Sequence, residues 1–130
     1  MEIIKHPIKN EIKVIKKGWG NEIWMVNNKK YCGKILNFHK SSKFSMHYHL
    51  NKDETWYVNK GEFIFRYING DNAEVVEQIL KEKESIRIPP GLPHQLECKG
   101  GGSIIEISTQ HFEEDSIRVW KGDSQIKYKK

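Results

Sequence analysis

Residues Ser45–Gly61 read SMHYHLNKDETWYVNKG. Two histidines stand one residue apart, an acid follows five residues later and a glycine seven after that, all among aromatic and β-branched residues. Side chains at i and i+2 on a strand share a face. His47 and His49 therefore point the same way, together with Ser45 and Lys43. Phe44, Met46 and Tyr48 point the other way. A half-buried strand places two imidazoles and a lysine on one inner face only where they have a use.

The run that starts at Glu54 is expected to fold back antiparallel through LNKD, Leu50–Asp53, which brings Glu54 beside the histidines. Two imidazole nitrogens and a carboxylate oxygen converging on one point suit a divalent transition metal. PPGLPH adds His94, just after a rigid turn and at the start of another strand. Each histidine alone reads as a hydrogen-bonded core or rim residue. His47, His49, Glu54 and His94 together read as ligands of one divalent transition metal ion with coordination positions left open, the mark of a working site. Manganese, iron, nickel, cobalt and zinc all fit such a set.

Outward from this stretch the chain continues as short strand-like runs: NEIWMVN, YCGKILNFH, KFSMHYH, ETWYVNK, EFIFRYI, AEVVEQIL, SIRIPP and SIIEIST. Turn residues punctuate them, at Asn27–Asn28, Asn59–Gly61, Asn69–Asn72, Pro89–Pro93 and Gly100–Gly102. Many strands at this spacing predict an all-β sandwich or barrel. Only His111–Trp120, HFEEDSIRVW, is expected to hold a helical turn. With 130 residues the chain fits a single domain over 1–130, its core spanning about 17–120. The segments before about Glu11 and after about Gly122 read as arms or frayed tails.

The formal net charge is +5, but 19 of the 22 basic residues are lysines, and they are scattered. Arg66, Arg87 and Arg118 are the only arginines, although arginine is the usual reader of bases. A lysine-coated surface explains the charge better than nucleic acid does, and it attracts anionic metabolites. No apolar run reaches membrane-spanning length, and the N-terminus lacks a signal-peptide pattern, so a cytoplasmic location is expected. Cys32 and Cys98 sit in no CxxC arrangement and are expected as reduced thiols.

The pattern HxH, four residues, E, six residues, G, met by His47, His49, Glu54 and Gly61, resembles the first motif of the cupin superfamily. PxGxxH, met by Pro89, Gly91 and His94, resembles the core of the second. Three positions depart from the family pattern: Ser41 and Lys83 stand where glycines are expected, and Cys98 where an asparagine is. The resemblance implies a double-stranded β-helix barrel, usually dimeric, with a metal at its centre. Across about Lys17–Trp120 the chain is also similar to type II mannose-6-phosphate isomerases, notably through WGNEIW and EEDSIRV. This similarity implies a metal-dependent aldose–ketose isomerase acting on a sugar or sugar phosphate. A non-catalytic carbohydrate-binding cupin, a free-sugar isomerase of the D-lyxose type and a metal-dependent oxygenase are the alternatives.

An isomerase needs a base and a partner for negative charge on oxygen. Lys43 and Glu106 are the catalytic candidates. The family carries a basic residue at the position of Lys43, which suits either a base of lowered pKa or a phosphate contact. Glu106 either pairs with Arg66 or Arg87 or works in the pocket. Trp56, His111 and Arg118 are the substrate-binding candidates: Trp56 to stack on a sugar ring, His111 and Arg118 from a mobile segment over the mouth, with Arg118 on a phosphate or sugar oxygen. The alternative partner for Arg118 is Glu113 or Glu114. Phe44, Met46 and Tyr48, read as outward-facing, predict a dry surface for a second copy in a homodimer, with the N-terminal segment available as a strand for the partner.

Overall fold

The structure, a computed structural model, describes residues 3–126; residues 1–2 and 127–130, which belong to the expected tails, lie outside the described residues. Ten strands follow one another: β1 (Lys13–Lys17), β2 (Gly20–Asn27), β3 (Cys32–Lys43), β4 (Met46–His49), β5 (Glu54–Lys60), β6 (Phe63–Ile68), β7 (Val75–Leu80), β8 (Ser85–Ile88), β9 (His94–Ser108) and β10 (Ser116–Trp120). A single 3₁₀ turn (Glu113–Asp115) precedes β10, and a short helix α1 (Asp123–Ile126) follows it. All strand pairs are antiparallel.

The long strand β9 organises the barrel. Its first part, His94–Cys98, pairs with β6, and its last part, Ser103–Ser108, pairs with β5. Strand β3 runs beside both parts. The two curled halves, β1–β2–β3–β9–β5–β8 and β10–β4–β9–β6–β7, thus share one bent strand and enclose one interior. The bend is at Gly100–Gly102, where a turn was expected. Here a Cβ on Gly102 would lie 2.3 Å from the Lys60 carbonyl oxygen, so β9 passes closer to the β5 end than any side chain permits.

Alternation along the strands divides the interior into two ends. Leu36, Phe38, Val58, Phe63, Phe65, Leu96 and Ile104 fill one end with apolar side chains. In phase with them, Lys34, Glu54, His94 and Glu106 point inward at the other end and are equally buried. Each buried Leu, Ile, Val or Phe contributes about 1.5–3 kcal/mol, so the apolar end holds the fold while the polar end is free for chemistry.

The run Lys43–His49 is not one strand. Strand β3 continues to Lys43, the ladder breaks at Phe44–Ser45, and β4 begins at Met46. The break loses no backbone partner: Phe44 N–H donates to Leu96 O, Gln95 Nε2 donates to Phe44 O, and Lys43 N–H donates to Asp123 Oδ2. It also resets the alternation. Phe44 turns inward against Trp19, Phe38 and Trp56, and Met46 is fully buried. The dry outer surface expected from Phe44, Met46 and Tyr48 is therefore absent. The end expected to fray after Gly122 instead docks: a Cβ on Gly122 would lie 2.2 Å from the Phe44 carbonyl carbon, and Asp123 is buried.

Ser41 and Lys83, at the positions where the motifs expect glycine, have φ of 54° and 72°. The left-handed backbone has been kept although the residue that favours it has not. Such a conformation costs a non-glycine residue about 1–2 kcal/mol, partly offset by the extra freedom glycine gives the unfolded chain. Both side chains are exposed. Ser41→Gly and Lys83→Gly should each stabilise the protein by about 0.5–1 kcal/mol, raising the melting temperature by about 2–5 °C. Calorimetry on the two variants checks this; a lowered melting temperature in both would contradict the strain.

Candidate metal centre

His47 from β4, His49 from β4 and His94 from β9 offer ring nitrogens that all lie within 4.8 Å of one another. Strand register explains the approach, since His47 lies directly opposite His94. Each ring also gives its Nδ1–H to a backbone carbonyl. His47 donates to Ser45 O at 2.8 Å, His94 to Leu92 O at 2.9 Å and His49 to Asp115 O at 3.1 Å. A carbonyl only accepts, so these bonds fix the tautomer and leave a lone pair on every Nε2.

Glu54 completes the cluster. Its Oε2 lies 3.5 Å from His49 Nε2 and 3.6 Å from His94 Nε2. Its Oε1 accepts a 2.8 Å hydrogen bond from Trp56 Nε1. Among the described residues, Glu54 Oε2 and His94 Nε2 are the buried side-chain atoms left without a hydrogen bond. Buried polar atoms are rarely orphaned. Two orphans facing each other amid three fixed imidazoles fit one divalent transition metal, held by His47, His49, His94 and Glu54.

The rest of the cavity is charged. It encloses about 210 Å³ and is walled by Glu22, Lys34, Lys52, Glu106, His111 and Arg118 besides the four candidate ligands. Lys52 Nζ donates to Glu106 Oε2 at 3.0 Å and sits 3.3 Å from His111 Nδ1. Ser108 Oγ donates to the same Glu106 oxygen. Lys34 Nζ lies 3.4 Å from Glu22 Oε1 and 4.3 Å from the centre of the Trp24 ring.

Burial dominates the acid–base behaviour. It pushes His49 down to about 3, aided by the charge of Lys52, and His94 down to about 3 with help from His49 and Lys52. His47 falls well below its ordinary range through burial and the neighbouring His94. Burial and the nearby Glu106 carboxylate raise Glu54. Burial also works against ionised Glu106, but Lys52 and Lys34 overcome it and hold the group below the usual carboxylate range. For Lys52 burial favours the neutral amine, and Glu106 with Glu54 reverses that, so the ammonium is retained.

The sequence-based candidates divide clearly. His47, His49, Glu54 and His94 converge. Glu106 lines the cavity, and its partner is Lys52, because Arg66 pairs with Glu77 and Glu97 while Arg87 pairs with Asp53. His111 lines the wall and Arg118 the mouth. Neither Glu113 nor Glu114 pairs with Arg118 among the described residues. Trp56 is 1% exposed and packed edge-on to His94, so it positions Glu54 and has no open face for a sugar. Lys43 does not line the cavity: its assignment assumed one strand through Phe44, and the break there turns it away. The segment after β9, expected to be mobile, is anchored at Asp115. Asp115 is buried, and its carboxylate accepts the backbone N–H groups of Leu50, Asn51 and Lys52, clamping the loop that carries Lys52.

The rings generate a pH signature. Neutral in the fold down to about pH 3, His49 and His94 take up protons near 6.5 when unfolded. The unfolded chain then holds more protons below pH 6.5, so acid destabilises the metal-free protein. Glu54, raised above its ordinary 4.5, acts with the opposite sign, but one carboxyl opposes three rings. Below 4.5 Glu54 no longer opposes and Glu106 adds to the loss. The melting temperature of metal-free protein should decline from pH 6.5 and steepen below 4.5. A flat or rising profile across that window would contradict neutral imidazoles.

A family model of the cupin domain matches residues 34–108. No curated protein matches the chain. Among solved structures, oxalate decarboxylase from Bacillus subtilis superposes with a TM-score of 0.75 at 12% identity, over 88% of this chain and 33% of that one. Mn(II) centres are described for that enzyme. The capsular polysaccharide assembling protein CapF from Staphylococcus aureus gives 0.73 at 18% identity, over 85% and 32%. An RmlC-like cupin from Shewanella frigidimarina gives 0.66 at 23%, over 88% and 96%. The chain thus spans 33% and 32% of the first two relatives and nearly all of the third. These likenesses speak for the fold, and the matched segment contains all four candidate ligands: the chain belongs to the cupin family.

Proposed function

We propose that the protein is a metal-dependent aldose–ketose isomerase acting on a small sugar or sugar phosphate, similar in activity to the type II mannose-6-phosphate isomerases. The observation that carries the reading is the pairing of an ionised Glu106 with Lys52 in the same cavity as the His47–His49–His94–Glu54 cluster. The sequence resemblance through WGNEIW and EEDSIRV supplies the substrate class. The volume of about 210 Å³ lies below the roughly 300–1,000 Å³ of drug-sized pockets, which favours a small polar molecule over a polymer.

When bound, a divalent metal polarises a carbonyl and orients adjacent oxygens. The chain's own groups handle the proton. Glu106 takes it from the carbon next to the carbonyl. The C–H electron pair becomes the enediol double bond, and the carbonyl oxygen takes the negative charge. Lys52, already carrying a proton, donates to that oxygen. Return of the proton from Glu106 to the former carbonyl carbon, as the hydroxyl on the other enediol carbon gives its proton back to Lys52 and becomes the new carbonyl, completes the transfer. Glu106 is a weak base while Lys52 holds it, and it strengthens as Lys52 turns to the substrate. Arg118 at the mouth is placed for a phosphate or an outer hydroxyl.

Metal content by mass spectrometry comes first. We expect about one transition metal per chain, lost in His47→Ala/His49→Ala. The loaded protein should interconvert mannose 6-phosphate and fructose 6-phosphate, with lyxose and xylulose as the free-sugar pair. Glu106→Gln should keep the metal and lower kcat by about 10²–10⁴. Metal without turnover on any such pair, but with calorimetric sugar binding, would replace the isomerase with a carbohydrate-binding role; oxygen consumption with iron would replace it with an oxygenase.

A further inference from the structure

The wall of the cavity built by β2 and β3 holds an ion pair that the proton transfer does not use. Lys34 lies opposite Trp24 on one side and Glu106 on the other, and residues directly opposite share a face. Glu22 lies opposite the buried Leu36 and faces inward as well. The Lys34 side chain is 2% exposed and that of Glu22 15%, and both line the cavity. Two contacts fix the pair. Trp24 Nε1–H donates to Glu22 Oε1 at 2.8 Å, and Lys34 Nζ, lying over the Trp24 ring, reaches the same oxygen at 3.4 Å.

The pair keeps hydrogen-bonding capacity in reserve. Among the described residues Glu22 Oε2 accepts no hydrogen bond, and Lys34 Nζ, with three N–H donors, makes only the one to Glu22. Lys34 also helps to keep Glu106 ionised, but only through space: the direct donors to Glu106 are Lys52 and Ser108. A buried ammonium is costly while its donors go unused. One cation beside one anion offers a donor and an acceptor with little net charge. An anionic group placed there would face Glu22. Two neighbouring hydroxyls suit both partners, one accepting from Lys34 and the other donating to Glu22.

Strand order sets where these hydroxyls stand. The Glu106 strand, β9, lies between β5, which carries Glu54, and β3, which carries Lys34. We propose that Glu22 and Lys34 form the subsite that reads the two hydroxyls next to the reacting carbons of the sugar, and so determine which sugar the cavity accepts. The choice of carbons rests on the isomerase reading; the demand for paired hydroxyls rests on the Glu22–Lys34 geometry.

Mannose 6-phosphate, lyxose and the 3-deoxy and 4-deoxy analogues of each test it on metal-loaded protein. Discrimination is read as kcat/KM where there is turnover and as a calorimetric Kd where there is binding alone. The wild type should disfavour the deoxy analogues by at least about 10²-fold. Glu22→Gln and Lys34→Met should each keep the metal and shrink that preference to within about tenfold. Lys34→Met should also slow every sugar alike, since Glu106 loses a supporting charge, so the preference and not the rate is the readout. Glu22→Gln is isosteric and leaves the donors to Glu106 in place, which keeps the test open if Lys34→Met does not fold. A preference lost on binding without turnover supports the subsite while the isomerase reading falls. Turnover with the preference unchanged in Glu22→Gln, or a wild type that accepts the deoxy analogues equally, overturns the subsite and leaves the isomerase. Neither binding nor turnover of any of these sugars overturns both.

Discussion

Three backbone carbonyls, of Ser45, Leu92 and Asp115, determine what the open end of this barrel can do. Each takes the Nδ1 proton of one histidine and so turns a lone pair toward a common point. They come from unlike pieces of backbone: the break between β3 and β4, the proline turn before β9 and the 3₁₀ turn before β10. Irregular backbone is what frees a carbonyl from a ladder, and here the irregularities cluster around the site. Asp115 carries most of this load. Its carbonyl holds His49 while its carboxylate holds the loop of Lys52, coupling a candidate ligand to the ammonium that faces Glu106.

The charges in the cavity depend on one another for the same reason that they are costly. Lys34, Glu54, Lys52 and Glu106 are each at most 4% exposed, and an isolated charge so placed would neutralise itself. Lys52 and Lys34 keep Glu106 ionised, and Glu106 in turn disfavours ionisation of Glu54. Without a cation the cheapest state of Glu54 is protonated. A divalent ion held there would replace that proton and satisfy both orphaned atoms, so the electrostatics of the cluster and the geometry of the rings favour the same kind of ligand.

The four candidate ligands were legible in the sequence because their spacing sits on strand period and rigid turns. Glu106 was legible as an inward acid within an apolar run. Its partner was not: Lys52 lies in a loop, where alternation says nothing, and only the Asp115 clamp brings it inward. Lys34 carried a usable signal, since it alternates in phase with Leu36 and Phe38, but a lysine among so many lysines reads as surface. Lys43 failed for a related reason. Parity holds only while the ladder is unbroken, and Phe44–Ser45 carry no glycine, proline or asparagine to announce the break. A strand starting at His94 was expected, but not its length: three glycines that read as a turn bend β9 without ending it, so HQLECKG and SIIEIS form one strand.

Those glycines separate two constraints that a motif treats as one. Gly61 combines a φ of 89° with a Cβ position 2.6 Å from the Gly101 carbonyl oxygen, so any side chain would meet backbone as well as strain. At Gly102 the close approach to Lys60 alone excludes a side chain. At Ser41 and Lys83 only the dihedral is demanding, the side chains point into solvent, and a cost of about 1–2 kcal/mol is within what a packed barrel absorbs. At Ser41 and Lys83, where glycine would serve conformation alone, the chain departs from the motif; at Gly91, with a φ of 83° and open space beside it, glycine is kept for conformation, and at Gly61 backbone packs on backbone as well. Contact with the Gly101 backbone makes Gly61 the strictest of these positions, and the candidate ligands are held in the same way, by neighbours that orient each of them.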